Sequence, residues 1–131
     1  MKAINISLYS SSQAAVASSN RQITENLAKL DNALKQGIIT QEQYEEKRRQ
    51  LINANAENFR KSVLGANPME ALQMLAASKQ VYEQSLKDLE ENYQNKNIKL
   101  ADYLAEKQRI EDAYKGRTGA TDGLQEIKSR G

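Results

Sequence analysis

Three pairs of adjacent carboxylates punctuate the chain: Glu45 and Glu46, Glu90 and Glu91, Glu111 and Asp112. Two carboxylates held across a cleft can serve one substrate as general acid and general base. Neighbours on a helix point about 100° apart, so each pair reads as part of a solvated face and not as a catalytic dyad. Glu106, Glu111 and Asp112 could offer oxygens to a hard cation. Such a site requires ligands converging from several elements, and their spacing supplies no convergence. Ser10, Ser11 and Ser12 carry hydroxyls with no base nearby to activate them. The 131 residues include no His and no Cys. That removes the commonest general base and metal ligand, along with disulfides, thiol catalysis and thiolate sites. The expectation is a non-enzymatic protein with no catalytic residues, no metal site and no cofactor.

Lys47, Arg48 and Arg49, with Arg60 and Lys61 further on, form the most basic stretch. Basic residues on one face can bind phosphates. Here Glu42, Glu45, Glu46 and Glu57 are interleaved, and Glu45 and Arg49 stand at the spacing that supports a helix. Net charge is +2, from 19 basic and 17 acidic residues. The mixture describes a solvated helical surface, not a nucleic-acid footprint. The basic tail is the better candidate, with Lys115, Arg117, Lys128 and Arg130 as its phosphate contacts. Most of the six tyrosines fall on apolar stripes. Tyrosine suits a half-wet interface, because its ring buries while its hydroxyl finds water or a partner.

Helices must position these groups. One Pro and six Gly leave few interruptions. Apolar residues make up 39%, below the roughly 45–50% of globular domains, so thin helical layers or a bundle completed by partner chains are expected. No stretch approaches the roughly 18 apolar residues of a membrane span, and no long apolar region follows Lys2 to suggest a signal peptide. Ile4, Ile6 and Leu8 alternate with polar residues. This segment reads as an extended arm over residues 1–9 that contacts a partner, or else as a disordered terminus or a simple lead into the first helix. Helix is expected from about Ser11 or Ser12. Ile23, Leu27, Leu30 and Leu34 then keep one helical face.

Gly37 can take the left-handed conformation that ends a helix. Thr40 and Gln43 compose a capping box, and Ile39 with Tyr44 a hydrophobic staple. The second helix is predicted over Gln41–Leu64, with Tyr44, Leu51, Ile52, Phe59 and Val63 as its apolar face. Gly65 to Pro68 ends it. Asn67 can cap a third helix over Pro68–Gln94, with Pro68 at its first position. Leu72, Leu75, Lys79, Tyr82, Leu86, Leu89 and Tyr93 give that helix a seven-residue repeat. A fourth helix is predicted over Lys99–Tyr114, carrying Leu100, Tyr103, Lys107, Ile110 and Tyr114. The glycine-containing tail is expected to fray, or to form a short helix on binding.

A shift of 59 residues superposes two hairpins without a gap. Leu27, Leu30, Ile39, Tyr44 and Ala54 meet Leu86, Leu89, Ile98, Tyr103 and Ala113, type for type. Asp31 meets Glu90, Leu34 meets Tyr93, Arg48 meets Lys107 and Leu51 meets Ile110. In the second turn Lys96 stands in place of Gly37, and Asn95 or Asn97 is expected to take the left-handed position. The predicted fold is all-α: two tandem antiparallel hairpins, four helices, elongated or as a loose bundle. Its parts are the N-terminal arm (1–9), a first hairpin (10–66), a second hairpin (67–115) and a flexible tail (116–131). Hairpin packing is assigned to Leu27, Leu30, Leu34, Ile39, Tyr44, Leu51, Leu86, Leu89, Tyr93, Ile98, Tyr103 and Ile110. Partner contact is assigned to Ile4, Ile6 and Leu8.

The stretch "LKQGIITQEQYEEKRRQLI" resembles the short helical module known as the SHOCT domain, with its leucines, Gly-Ile-Ile-Thr turn and following E-x-Y-x-x-K-x-x-x-L helix. "LEENYQNKNIKLADYLAEKQRIEDAY" is similar to hairpins repeated in bacteriophage tail tape-measure and internal virion proteins. The resemblance spans roughly Ile23 to Tyr114. Tape measures are usually many hundreds of residues long with apolar segments, and this chain departs from that pattern. What the resemblance implies is a structural or assembly protein, a tail or internal virion component that packs its helices against other copies or other virion subunits. Its place is then the virion, or otherwise the cytoplasm. Two alternatives stand beside it: a small helical inhibitor or adaptor of another protein, and an ejected phage protein that meets membrane or DNA.

Overall fold

The computed structural model describes residues 2–122, the first nine of them by backbone alone. Four helices account for nearly all of this: α1 (Lys2–Lys35), α2 (Gln41–Gly65), α3 (Pro68–Gln94) and α4 (Leu100–Thr121). No strand occurs among the described residues. The all-α reading and its four helices therefore hold. The extended arm over 1–9 is corrected, because the backbone is helical from Lys2. Once a helix is nucleated, adding residues to its end costs little, and the Ala- and Gln-containing stretch beyond Ser10 carries the helix without a break. The side chains of Ile4, Ile6 and Leu8 lie outside the described residues.

Both hairpin turns use one backbone device. Gly37 has φ 75° and Lys96 has φ 61°. Gly37 N–H donates to Leu34 O and Ile38 N–H to Ala33 O; 59 residues on, Lys96 N–H donates to Tyr93 O and Asn97 N–H to Asn92 O. These are the paired bonds of a Schellman ending. The expectation that Asn95 or Asn97 would hold the left-handed position is corrected: the repeat conserves backbone register, so the lysine at the glycine's place takes it. Thr40 and Gln43 bond reciprocally as a capping box. Asn67 accepts from the Glu70 N–H ahead of Pro68. Lys99, the counterpart of Thr40, caps α4 with no side-chain bond.

The hairpins lie side by side, so the helices run in the ring order α1, α2, α4, α3. Within each hairpin the helices are antiparallel. Between hairpins they are parallel: Arg48 meets Asp112 and, one turn on, Ile52 meets Gly116. Asn20 bonds Ser85, 65 residues away. A repeat of 59 with a contact offset near 65 staggers the hairpins by about six residues, roughly 9 Å. Of the elongated and bundled alternatives, the structure takes the bundle.

Val16, Phe59, Val63, Ala71, Ala77 and Val81 form one core cluster. Ile23, Leu27 and Ala113 form another, flanked by Leu51 and Ile52. The face of α3 is rotated from its predicted stripe: Ala71, Ala77, Ser78, Val81 and Leu89 are buried while Leu72 is exposed. Packing against α1 as well as α4 centres the buried arc on small residues, which let two backbones approach. Leu100, placed on the α4 stripe, is likewise exposed. Helix α4 passes Tyr114 and runs to Thr121, with Arg117 and Thr121 buried. This corrects the flexible tail over residues 116–121; the remainder from 123 lies outside the described residues. Open space surrounds a Cβ at Gly37, so backbone strain alone sets substitution costs there. Lys96→Gly is expected to raise stability by about 1 kcal/mol and Gly37→Ala to lower it by a similar amount, read as opposite shifts of the urea midpoint.

Candidate interaction surface

Charged residues concentrate where α4 meets the first hairpin. Tyr44 OH donates to Asp31 Oδ1 at 2.6 Å. Arg109 Nη1 donates to Asp31 Oδ2 at 2.5 Å and its Nε to Glu106 Oε2 at 3.0 Å. Arg48 pairs with Asp112. Burial works against both guanidinium charges, and carboxylate bonds outweigh it, so Arg48 and Arg109 sit above the ordinary arginine value. Burial and the Asp31 bond hold the Tyr44 phenol above its ordinary value. The repeat reproduces this bond: Tyr103 OH donates to Glu90 Oε2 at 2.6 Å, which raises the phenol and lowers the carboxyl. Each of these carboxylates is engaged by a structural partner. Among the described residues no three His, Cys, Asp or Glu side chains converge as a metal would require.

Arg117, assigned to phosphate contact by its position in the basic tail, is instead 2% exposed. Its Nε donates to Ser78 Oγ at 2.7 Å, Nη1 to Asn20 Oδ1 at 2.8 Å and Nη2 to Ser78 O at 3.3 Å. Its guanidinium carbon lies 5.7 Å from the centre of the Tyr114 ring, within cation–π range. None of its bonded partners is a carboxylate, and burial pulls it down to about 10. Arg117 thus ties α4 to α1 and α3 at once. Sequence reasoning missed Asn20, Thr24, Ser78 and Thr121 as buried polar positions. A signal was present, since Asn20 and Thr24 share a face with Ile23 and Leu27. Lys115 is exposed; Lys128 and Arg130 lie outside the described residues.

The residues assigned to hairpin packing differ in burial. Leu27, Leu89 and Ile110 are buried, and Leu30, Leu34, Ile39, Tyr44, Leu51, Leu86, Tyr93, Ile98 and Tyr103 are half-buried. Tyr93 stacks on Tyr103 with ring centres 4.6 Å apart, and Tyr82 on Tyr114 at 4.1 Å. On the outer side of the first hairpin, Leu30, Ala33, Ile39, Leu51 and Ala54 line an open groove of about 660 Å³. Lys29, Lys47 and Gln50 rim it. Apolar floor and polar rim are the anatomy of a protein interface.

This groove lies largely within the segment that known proteins illuminate. Residues 25–52 match the SHOCT family, described as a short C-terminal domain. The match takes in both arms of the first hairpin and its turn. No curated protein and no solved structure gives a match. Among the described residues, no helix is long and apolar enough to cross a membrane.

Two outcomes follow for the polar seam. Ser78→Ala strips the Arg117 guanidinium of its Nε acceptor and is expected to cost about 1–3 kcal/mol, measured by chemical denaturation. The Tyr44 phenol is raised in the fold, so its contribution is complete below its ordinary value of 10.0 and is lost as pH rises through the folded value. Tyr44→Phe should therefore lower stability at neutral pH, by about 1 kcal/mol or less, and make the alkaline loss of stability shallower.

Proposed function

We propose that this chain is a non-enzymatic assembly protein that works by packing its helices against other chains. The open apolar groove on the SHOCT-like hairpin carries the reading. Leucine and isoleucine held at a half-wet surface gain free energy when covered, at about 25 cal/mol per Å² removed from water. Exposed Ile38, Met69, Leu72, Leu100 and Leu104 add apolar surface elsewhere. Engagement of Asp31, Glu90, Glu106 and Asp112 by tyrosine, arginine and glutamine supports a structural use of these groups. The proposed setting is a bacteriophage particle, as a tail or internal component. Support for that setting is the resemblance of the second hairpin to those of virion proteins.

Gradient sedimentation of material from the native source, followed with an antibody to the chain, tests this. The chain should travel with an assembly much larger than its own 14.7 kDa. Recovery solely as a fully helical monomer would overturn the proposal.

A further inference from the structure

The 59-residue repeat makes the hairpins comparable position by position, and their surroundings differ. In the second hairpin Leu89, Ile110 and Ala113 are buried. The first hairpin reaches this face: Ala113 clusters with Ile23 and Leu27, Arg109 pairs with Asp31, and Ser85 bonds Asn20. The counterparts of Leu89, Ile110 and Ala113 are Leu30, Leu51 and Ala54, which line the open groove. The residues that do the covering also have counterparts. Ile23, Leu27 and Ile52 correspond to Tyr82, Leu86 and Glu111, none of them buried. Each hairpin therefore has a covering face and a covered face. One of each meets inside the chain, and one of each is left over.

Resting on the assembly reading above, we infer that a second copy of this chain occupies the open groove. Its second hairpin lies on the first hairpin of its neighbour, parallel and staggered as the two hairpins of one chain are. Shifting known contacts by 59 residues identifies the pairs. The contact of Asp31 with Arg109 becomes Glu90 against Gln50. Arg48 with Asp112 becomes Lys107 against Asn53. A Cβ at Gly116 would lie 3.6 Å from Ala56 Cβ, and that contact becomes Glu57 against Lys115. No like charges meet in these three pairs, and the third joins opposite charges; the 3.1 Å approach of Ile52 to the same Cβ becomes Glu111 against Glu57, a like-charge pair one helical turn from Lys115. Leu27 beside Ala113 becomes Leu86 beside Ala54, an apolar side chain entering the groove. The two faces are unlike, so the contact is heterologous and leaves a free face at each end of a pair; it propagates into a ring or a rod.

The 131 residues contain no cysteine, so engineered thiols report contacts directly. Ala54→Cys and Leu86→Cys proteins are prepared separately, then mixed with a short thiol cross-linker. The mixture should yield covalent dimers while neither variant alone does. Glu57→Cys mixed with Lys115→Cys, at two exposed positions that leave the core intact, should behave alike. Ala54→Glu should weaken self-association at least about tenfold by placing a carboxylate in the contact. Cross-linking of Ala54→Cys with itself would overturn the inference in favour of a two-fold contact. Absence of cross-links in both mixtures would overturn it outright. If the native chain nevertheless sediments in a large assembly, the general reading survives this loss; if it sediments as a monomer, both fall.

Discussion

Two residues at positive φ, Gly37 and Lys96, reverse the chain, and the rest of the structure is built on those reversals. A left-handed lysine costs about 1–2 kcal/mol. Its return is two backbone bonds that satisfy carbonyls at the end of α3 and the docking of α4 alongside. Helices with stripes this thin draw most of their stability from tertiary packing. Reversal supplies the packing partner at the lowest loop cost. It also sets the tyrosine–carboxylate bonds, since Tyr44 and Tyr103 each stand 13 residues beyond their acceptors, across the turn from them.

A second level of order joins hairpin to hairpin, and its chemistry is different. Alanine and valine dominate the buried apolar set there, with Asn20, Ser78 and Arg117 among them. Small side chains admit close approach but contribute modest burial energy. The polar groups impose register. Sliding one hairpin by a helical turn would carry Arg117 Nη1 away from Asn20 while its bonds to Ser78, on the same hairpin, remained, leaving a buried donor unpaired. The Arg48–Asp112 and Arg109–Asp31 pairs penalise the same slip. The seam thus selects one stagger among several that apolar packing alone would tolerate.

A repeated unit packed with itself by translation, and not about a two-fold axis, cannot use up its own surfaces. Parallel, staggered hairpins leave unlike faces at the two sides of the bundle, and the apolar one falls on the hairpin that matches the SHOCT family. Asp31 fastens the first turn to α4, binding a phenol and a guanidinium at once.

The hairpins were legible in the amino-acid sequence because their determinants are local. A glycine, a Thr–Gln box, an Asn–Pro cap and leucines at helical spacing act within a few residues of one another, and the 59-residue repeat doubled the signal. Sequence alone thus determined helix number and turn positions. The tertiary structure decided what depends on residues far apart. It chose the parallel stagger of the hairpins, turned α3 toward its small residues, drew residues 116–121 into α4, and made Arg117 a buried tie between three helices. The physical reason is range. A helix stop is settled by its own neighbours, whereas the burial of an arginine depends on acceptors 39 and 97 residues away, which no periodicity encodes.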